Sequence, residues 1–267
     1  MERIKTAIDK ARLARPVAPF FGPERAARAA NGALQPLQPL RSARLDPAHL
    51  ERHRVIATEP SHPARWSFDI LRTQVLQHMT ENGWKTLAIT SPTVNSGKTV
   101  VAINLAMSIA HHPQHSSVLV DFDLRRPRVA EYLGLGQGTS LEDVLGGRSA
   151  LEAAAVDVGL PKFCVIPTEK PVASASEVLS SDRALQVLAQ LRSGALGSIT
   201  IFDLPPVTAV DDVIAVLPRI DCVLVVIGNG MSTKHEIDEA QRHLARYNVL
   251  GTVLNKAAPL VRNDGYY

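Results

Sequence analysis

The chain has 267 residues, 45% of them hydrophobic, with two cysteines and a formal charge of +3. That length and apolar content are compatible with one large buried core plus appendages, and two cysteines exclude a disulfide-framed scaffold. No apolar run reaches the roughly 18 residues of a membrane-spanning helix and no secretory signal opens the chain, so no membrane span is expected.

The positive charge is concentrated near the N-terminus, where residues 1–65 hold 12 Lys/Arg against 6 Asp/Glu. The same stretch carries eight of the 18 prolines, in runs such as LARPVAPFFGPER, so sustained regular structure is expected only from about Ser61. Residues 1–60 therefore read as a flexible, basic, Pro-rich tether. It has neither aromatic interleaving nor a regular basic face, and nucleic acid is not an expected partner.

Downstream, apolar or β-branched runs recur as TLAIT (86–90), SVLVD (117–121), FCVIP (163–167), SITIFD (198–203), CVLVVI (222–227) and GTVLN (251–255). Runs this continuous suit strands covered on both faces, as in a parallel sheet. Between them, Ala102, Leu105, Ala106, Ile109 and Ala110, and again Ala184, Leu185, Leu188 and Leu191, recur three and four residues apart, the spacing of helices with one apolar face. The alternation predicts an α/β fold with a doubly wound, mainly parallel sheet. Cys164 and Cys222 fall in apolar stretches and are expected as buried thiols. Trp66 and Trp84 are expected to pack.

Ligands of such folds collect outside the carboxyl ends of the strands. The first run leads into SPTVNSGKT, Ser91–Thr99, and then into an apolar helix. A Gly-Lys-Thr triplet between strand and helix is the pattern of a phosphate-binding loop, and makes this a P-loop NTPase fold. Gly97 lets the backbone approach the phosphates. Asn95, Ser96 and the N–H groups that follow, through Val100, open a helix whose positive end faces the anion. Lys98 is expected to neutralise the β- and γ-phosphates of ATP, and Thr99 to offer its hydroxyl to Mg2+. A lysine at a helix start opposes the helix dipole, so a purely structural role suits it poorly. Two later runs end in acid: DFD, with Asp121 and Asp123, and DLPP, with Asp203, which would hold the metal's water shell. A single aspartate closing a strand is as readily a turn former. By contrast HHPQH (111–115) is a Pro-broken turn without partners at ligand spacing, and no metal is expected there.

Several stretches carry a resemblance to the bacterial tyrosine kinases (BY-kinases) of capsule and exopolysaccharide systems, relatives of the MinD and ParA ATPases. VLVDFDLRRPRVAEYLGL is similar to their second acidic motif and IFDLPPVTAVDD to their third, while GTSLEDVLGG and VIPTEKPVASASEVL match segments between. The likeness spans about residues 64–258. It implies that Asp121 and Asp123 take part in magnesium binding and in activating a tyrosine hydroxyl. It also implies that Asp212 belongs to a loop sensing the γ-phosphate, that Asn255 in VLNKA lies near the adenine, and that Arg125 stabilises charge or holds the acidic motif. No lysine stands between Ser91 and Ser96, unlike in the positioning ATPases, which favours the kinase branch. The family loop usually has a further glycine or an acidic residue before Gly-Lys, absent here. Its oligomer-forming Glu and two Arg are reduced to Trp66, Asp69 and Arg72 in WSFDILR, with only the last arginine kept.

The resemblance implies residues 61–258 as a P-loop kinase domain and 259–267 as a flexible tail whose Tyr266 and Tyr267 are autophosphorylated. The implied function is ATP-dependent protein-tyrosine autokinase activity that controls polysaccharide polymerisation, chain length or export. A non-catalytic ATP-binding switch of an export complex, or a positioning ATPase, is the alternative. The implied partners are a separate transmembrane chain-length regulator, whose cytosolic end activates the enzyme, and further copies of the chain in a homo-oligomer. The implied location is cytoplasmic, held at the inner membrane through that regulator.

Overall fold

The computed structural model describes residues 41–257, apart from residues 60 and 210. Among them, eight strands form one sheet: β1 (Arg41–Ser42), β2 (Thr86–Thr90), β3 (Ser117–Asp121), β4 (Val156–Asp157), β5 (Phe163–Ile166), β6 (Ile199–Asp203), β7 (Cys222–Gly228) and β8 (Val249–Asn255). Their order is β1-β4-β5-β3-β6-β2-β7-β8, parallel except where β4 meets β5. All six predicted runs are strands. The two-residue β1 and β4 were not foreseen, because two residues are too few to show a period.

Among the described residues, nine α-helices connect and cover the sheet: α1 (Pro47–Arg52), α2 (Arg65–Asn82), α3 (Lys98–Ala110), α4 (Val129–Leu133), α5 (Leu141–Leu145), α6 (Ala175–Leu179), α7 (Asp182–Arg192), α8 (Asp212–Val216) and α9 (Lys234–Leu244). One apolar cluster gathers α2, α3 and the N-terminal elements on one sheet face. A second gathers α5 to α9 on the other. The helix α3 is central, buried from Val101 to Ala110, which explains why its sequence is apolar nearly all round.

Regular structure begins before Ser61, contrary to the tether expectation. In LDPAHL the proline occupies the first turn of α1, where no N–H is needed, and the Asp46 side chain caps the helix by accepting from Ala48 N–H (3.0 Å). Leu50, Val55 and Ala57 are buried in the same cluster as α3, and Ile56 is buried beside them in sequence. Proline marks a helix start here rather than an irregular linker. Residues 1–40 and 258–267, including Tyr266 and Tyr267, lie outside the described residues. Trp84 packs on the core, whereas Trp66 is 55% exposed and does not take the expected core position. Both cysteines are buried and free. Burial holds each thiol at about 12.

Candidate active site

The loop from Ser91 to Gly97 bends tightly because its polar side chains close on its own backbone. Ser91 Oγ and Ser96 Oγ both donate to Thr93 O, at 2.8 and 2.7 Å. Asn95 and Gly97 adopt left-handed conformations, φ 60° and 87°. Gly97 is needed twice over, since a Cβ there would also run into the side-chain amide of Asn255. From the far side, Asn255 Nδ2 donates to Ser96 O (2.9 Å) and Lys256 Nζ to Asn95 O (2.7 Å). With the carbonyls so engaged, no acceptor among the described residues meets the six N–H groups of residues 95–100. A row of unmet amides at the start of a 13-residue helix is a cradle for an anion.

The acids arrive through the sheet register. Asp121 and Asp203 close neighbouring parallel strands directly opposite one another, and Asp203 stands opposite Ile89 of β2. Phe122 and Phe202, next to them in sequence, meet edge to face at 5.2 Å in the core. Thr99 Oγ1 donates to Asp203 Oδ2 (2.6 Å), while Lys98 Nζ lies 2.9 Å from Asp123 Oδ2 and 3.3 Å from Asp203 Oδ1. Burial alone would lower the Lys98 ammonium, but Asp203 and Asp123 outweigh it and hold its pKa above the ordinary value. Burial raises Asp203, against the pull of Lys98 and Thr99.

Asp121, which closes β3 opposite Asp203, accepts from the turn that follows it. Its Oδ2 accepts from the N–H groups of Arg128 (3.0 Å) and Val129 (2.9 Å), and its Oδ1 from Asp123 N–H (3.3 Å). It therefore fastens the turn that carries Asp123 and opens α4. Burial, then the Asp203 charge, pushes its carboxyl well above the usual carboxylate range. Asp212, at the start of α8, takes a two-pronged contact from Arg125 (2.8 and 3.0 Å) and a hydroxyl from Ser176 (2.6 Å). Despite its burial, these contacts hold its pKa below the ordinary value.

A cleft of about 520 Å³ opens over the loop. Of the residues expected from sequence, Asn95, Gly97, Lys98, Thr99, Val100 and Asp123 line it. Ser96 lies within the loop, Asn255 bonds to it and Asp203 bonds to Thr99, while Asp121 and Asp212 do not line the cleft. Sequence reasoning missed Arg52, Arg54, Arg126, Tyr132 and Lys256, which do. The RHR tripeptide 52–54 was a visible signal, obscured by the prolines around it. Asn104, also missed, joins the arm to the loop helix. Its Oδ1 accepts from Ile56 N–H (2.7 Å) and Ala57 N–H (3.0 Å), and its Nδ2 donates to Arg54 O (3.0 Å) and Val100 O (2.8 Å).

Comparison with known proteins bears on this arrangement, although no family model matches the chain. A putative tyrosine-protein kinase EpsB of Ralstonia nicotianae is 31% identical over 209 residues, which are 78% of this chain and 27% of that protein. The chain thus spans about a quarter of the length of that relative. Tyrosine-protein kinase YwqD of Bacillus subtilis is 28% identical over 223 residues, 82% of this chain and 93% of that one. Among solved structures, the kinase domain of the Escherichia coli tyrosine kinase ETK superposes with a TM-score of 0.71 at 26% identity, covering 93% of this chain and 100% of that one. Likeness in sequence and in fold thus point the same way, to the kinase domains of bacterial tyrosine kinases and their P-loop NTPase fold.

Proposed function

We propose that the chain is an ATP-dependent protein-tyrosine kinase, acting on tyrosines of its own kind and regulating exopolysaccharide or capsular polysaccharide assembly. The observation that carries this reading is the meeting, at one cleft, of the unmet loop amides, Lys98, Thr99 and a carboxylate, Asp123, 2.9 Å from Lys98. The donor set fits a nucleotide with Mg2+: amides and an ammonium for the phosphates, and the Thr99 hydroxyl backed by Asp203 for the metal. Bound there, magnesium would neutralise charge on the phosphates and orient them.

The residues of the chain then divide the work. Lys98 pairs with Asp123 at 2.9 Å. Phosphates draw the ammonium toward themselves, and this releases Asp123 to accept the proton of a tyrosine hydroxyl as its oxygen bonds to the transferred phosphoryl group and ADP leaves. Asp121 is a positioning residue that holds the Asp123 turn. Arg125 and Asp212 lock the neighbouring loops, and Asn255 shapes the adenine side. Tyr266 and Tyr267 are the acceptors that the family resemblance assigns. Among the described residues no helix is long and apolar enough to cross a membrane. A separate transmembrane regulator is the partner proposed here, and it would hold the kinase at the inner membrane.

The test is a phosphotyrosine assay on purified protein with ATP and Mg2+, with and without the cytosolic end of such a regulator. Labelled tyrosine that disappears in the Lys98→Ala variant is expected. Nucleotide binding with no labelled tyrosine in either condition would replace this reading with a regulatory ATP switch.

A further inference from the structure

The cleft carries more positive charge than a nucleotide needs. Six cations line it, Arg52, Arg54, Lys98, Arg126, Arg128 and Lys256, against one carboxylate, Asp123. Three of the six are engaged: Lys98 by Asp123 and Asp203, Arg128 by Glu131 at 2.8 Å, and Lys256 by the loop carbonyl of Asn95. The exposed side chains of Arg52, Arg54 and Arg126 meet no acidic partner among the described residues.

These three share one wall. Arg126 sits in the turn after β3, and its N–H donates to Asp123 Oδ1 (3.1 Å). Arg52 and Arg54 flank His53, whose ring stacks on Tyr132 of α4 at 5.0 Å. His49 Nε2 contacts Glu131 O at 2.8 Å, which ties α1 to the same helix. Lys256 and Asn255 stand across the loop, beyond β7, because β3 and β8 flank β2 on opposite sides. Arg54 has φ 59°, the left-handed conformation that ends α1 through Arg54 N–H to Glu51 O and Val55 N–H to Leu50 O, both 2.9 Å, and Asn104 holds its carbonyl from within the core. The backbone that carries the arginines is thus fixed at the cleft that also holds the carboxylate proposed to receive the tyrosine proton.

We infer that Arg52, Arg54 and Arg126 form an acceptor-side anion subsite, and that the preferred substrate is a tyrosine flanked by acidic residues. The inference takes from the kinase reading only the identity of the acceptor residue. The nucleotide has its own partners in the amides and Lys98, whereas these guanidinium groups lie across the loop from Asn255, the side expected for the adenine. Exposed arginines recognise carboxylates through paired, charge-assisted hydrogen bonds.

The probe is a short peptide with phenylalanine in the tyrosine position flanked by aspartates, its binding followed by fluorescence anisotropy with ADP and Mg2+ present. A control peptide carries asparagines instead. Wild type is expected to bind the acidic peptide more tightly than the control, with an advantage that shrinks as salt is added. An Arg52→Ala, Arg54→Asn, Arg126→Ala variant should bind it about tenfold more weakly with ADP affinity unchanged, and lysine at the three positions should restore part of the loss. Asparagine at position 54 tolerates the left-handed backbone, and a melting curve verifies the fold. Equal binding of both peptides by wild type, or undiminished acidic-peptide binding by the variant, overturns the inference. So does a variant that loses ADP instead, which would assign the arginines to the nucleotide. Peptide binding as expected, with no tyrosine ever phosphorylated, would leave this subsite standing and remove the kinase reading.

Discussion

Asn104, fully buried in α3, donates to the backbone carbonyl of Arg54 at 3.0 Å and so fixes the basic arm against the helix that begins with Lys98. Its amide meets four backbone groups, two N–H and two C=O, and no smaller side chain can reach them. Asn104→Ala leaves the two buried N–H groups without partners and takes the donor from the part-buried Arg54 carbonyl, at a cost of about 3 kcal/mol. Urea unfolding should show that loss, and a loss below about 0.5 kcal/mol would mean that the arm is not held by this residue.

Lys98→Ala should abolish most of the rise in melting temperature that ADP or ATP with Mg2+ gives the wild type, since ligand stabilises only the state that binds it. The variant should also be less stable without ligand, because Asp123 and Asp203 lose the cation between them. Breaking a buried pair costs about 3–5 kcal/mol when the remaining charge cannot escape. Here Asp203, already raised by burial, can protonate, so the deficit should grow from pH 5 to pH 8. The sign follows from the wild-type ammonium: its folded pKa lies above the ordinary 10.5, so its contribution is complete at both pH values and is lost only as pH rises through the folded value. Identical nucleotide stabilisation of wild type and variant would remove the phosphate-loop assignment.

Asp121 and Asp123 should respond oppositely to amide substitution in stability and alike in turnover. The folded pKa of Asp121 is raised by burial and by Asp203, so the stability it contributes is complete below its ordinary value and is lost as pH rises through the folded one. Asp121→Asn removes that penalty and keeps one acceptor oxygen for the amides of Arg128 and Val129. Its ligand-free melting temperature should exceed that of the wild type at pH 8 and converge with it below about pH 4, near the ordinary carboxylate value. Asp123→Asn instead removes the partner of Lys98 and should melt lower. Both should cut phosphotransfer, Asp123→Asn by about a hundredfold or more, while nucleotide binding persists. Full turnover by Asp123→Asn would disprove its role as base.

Transfer to Tyr266 and Tyr267 should run between subunits. A Lys98→Ala protein with its tail, mixed with an active protein lacking residues 266 and 267, is expected to acquire phosphotyrosine on its last two residues. Mass spectrometry distinguishes the chains. An unlabelled inactive chain, beside strong labelling of intact active protein, would assign transfer within one chain.

Short apolar runs and a loop of small polar residues were enough to read the parallel sheet and the strand-loop-helix junction at Gly97, and to mark Asp121, Asp123 and Asp203 as acids at run ends, because each of these signals is local. A strand covered on both faces must be continuously apolar, as SVLVD and SITIFD are. The same logic misread LDPAHL, because proline stops a helix in its interior but starts one in its first turn, and only packing of Leu50 and Val55 on α3 shows which applies. Nor could local pattern reveal that Asp121 spends its oxygens on backbone amides while Asp123 faces Lys98: the two aspartates are chemically identical and two residues apart. What separates them is where the turn after β3 carries each carboxylate. The basic wall of Arg52, Arg54 and Arg126 is likewise tertiary, built from segments more than 70 residues apart in sequence. Long-range hydrogen bonds and burial, from Asn104 above all, decide where those charges stand, and no periodicity in the chain encodes that placement.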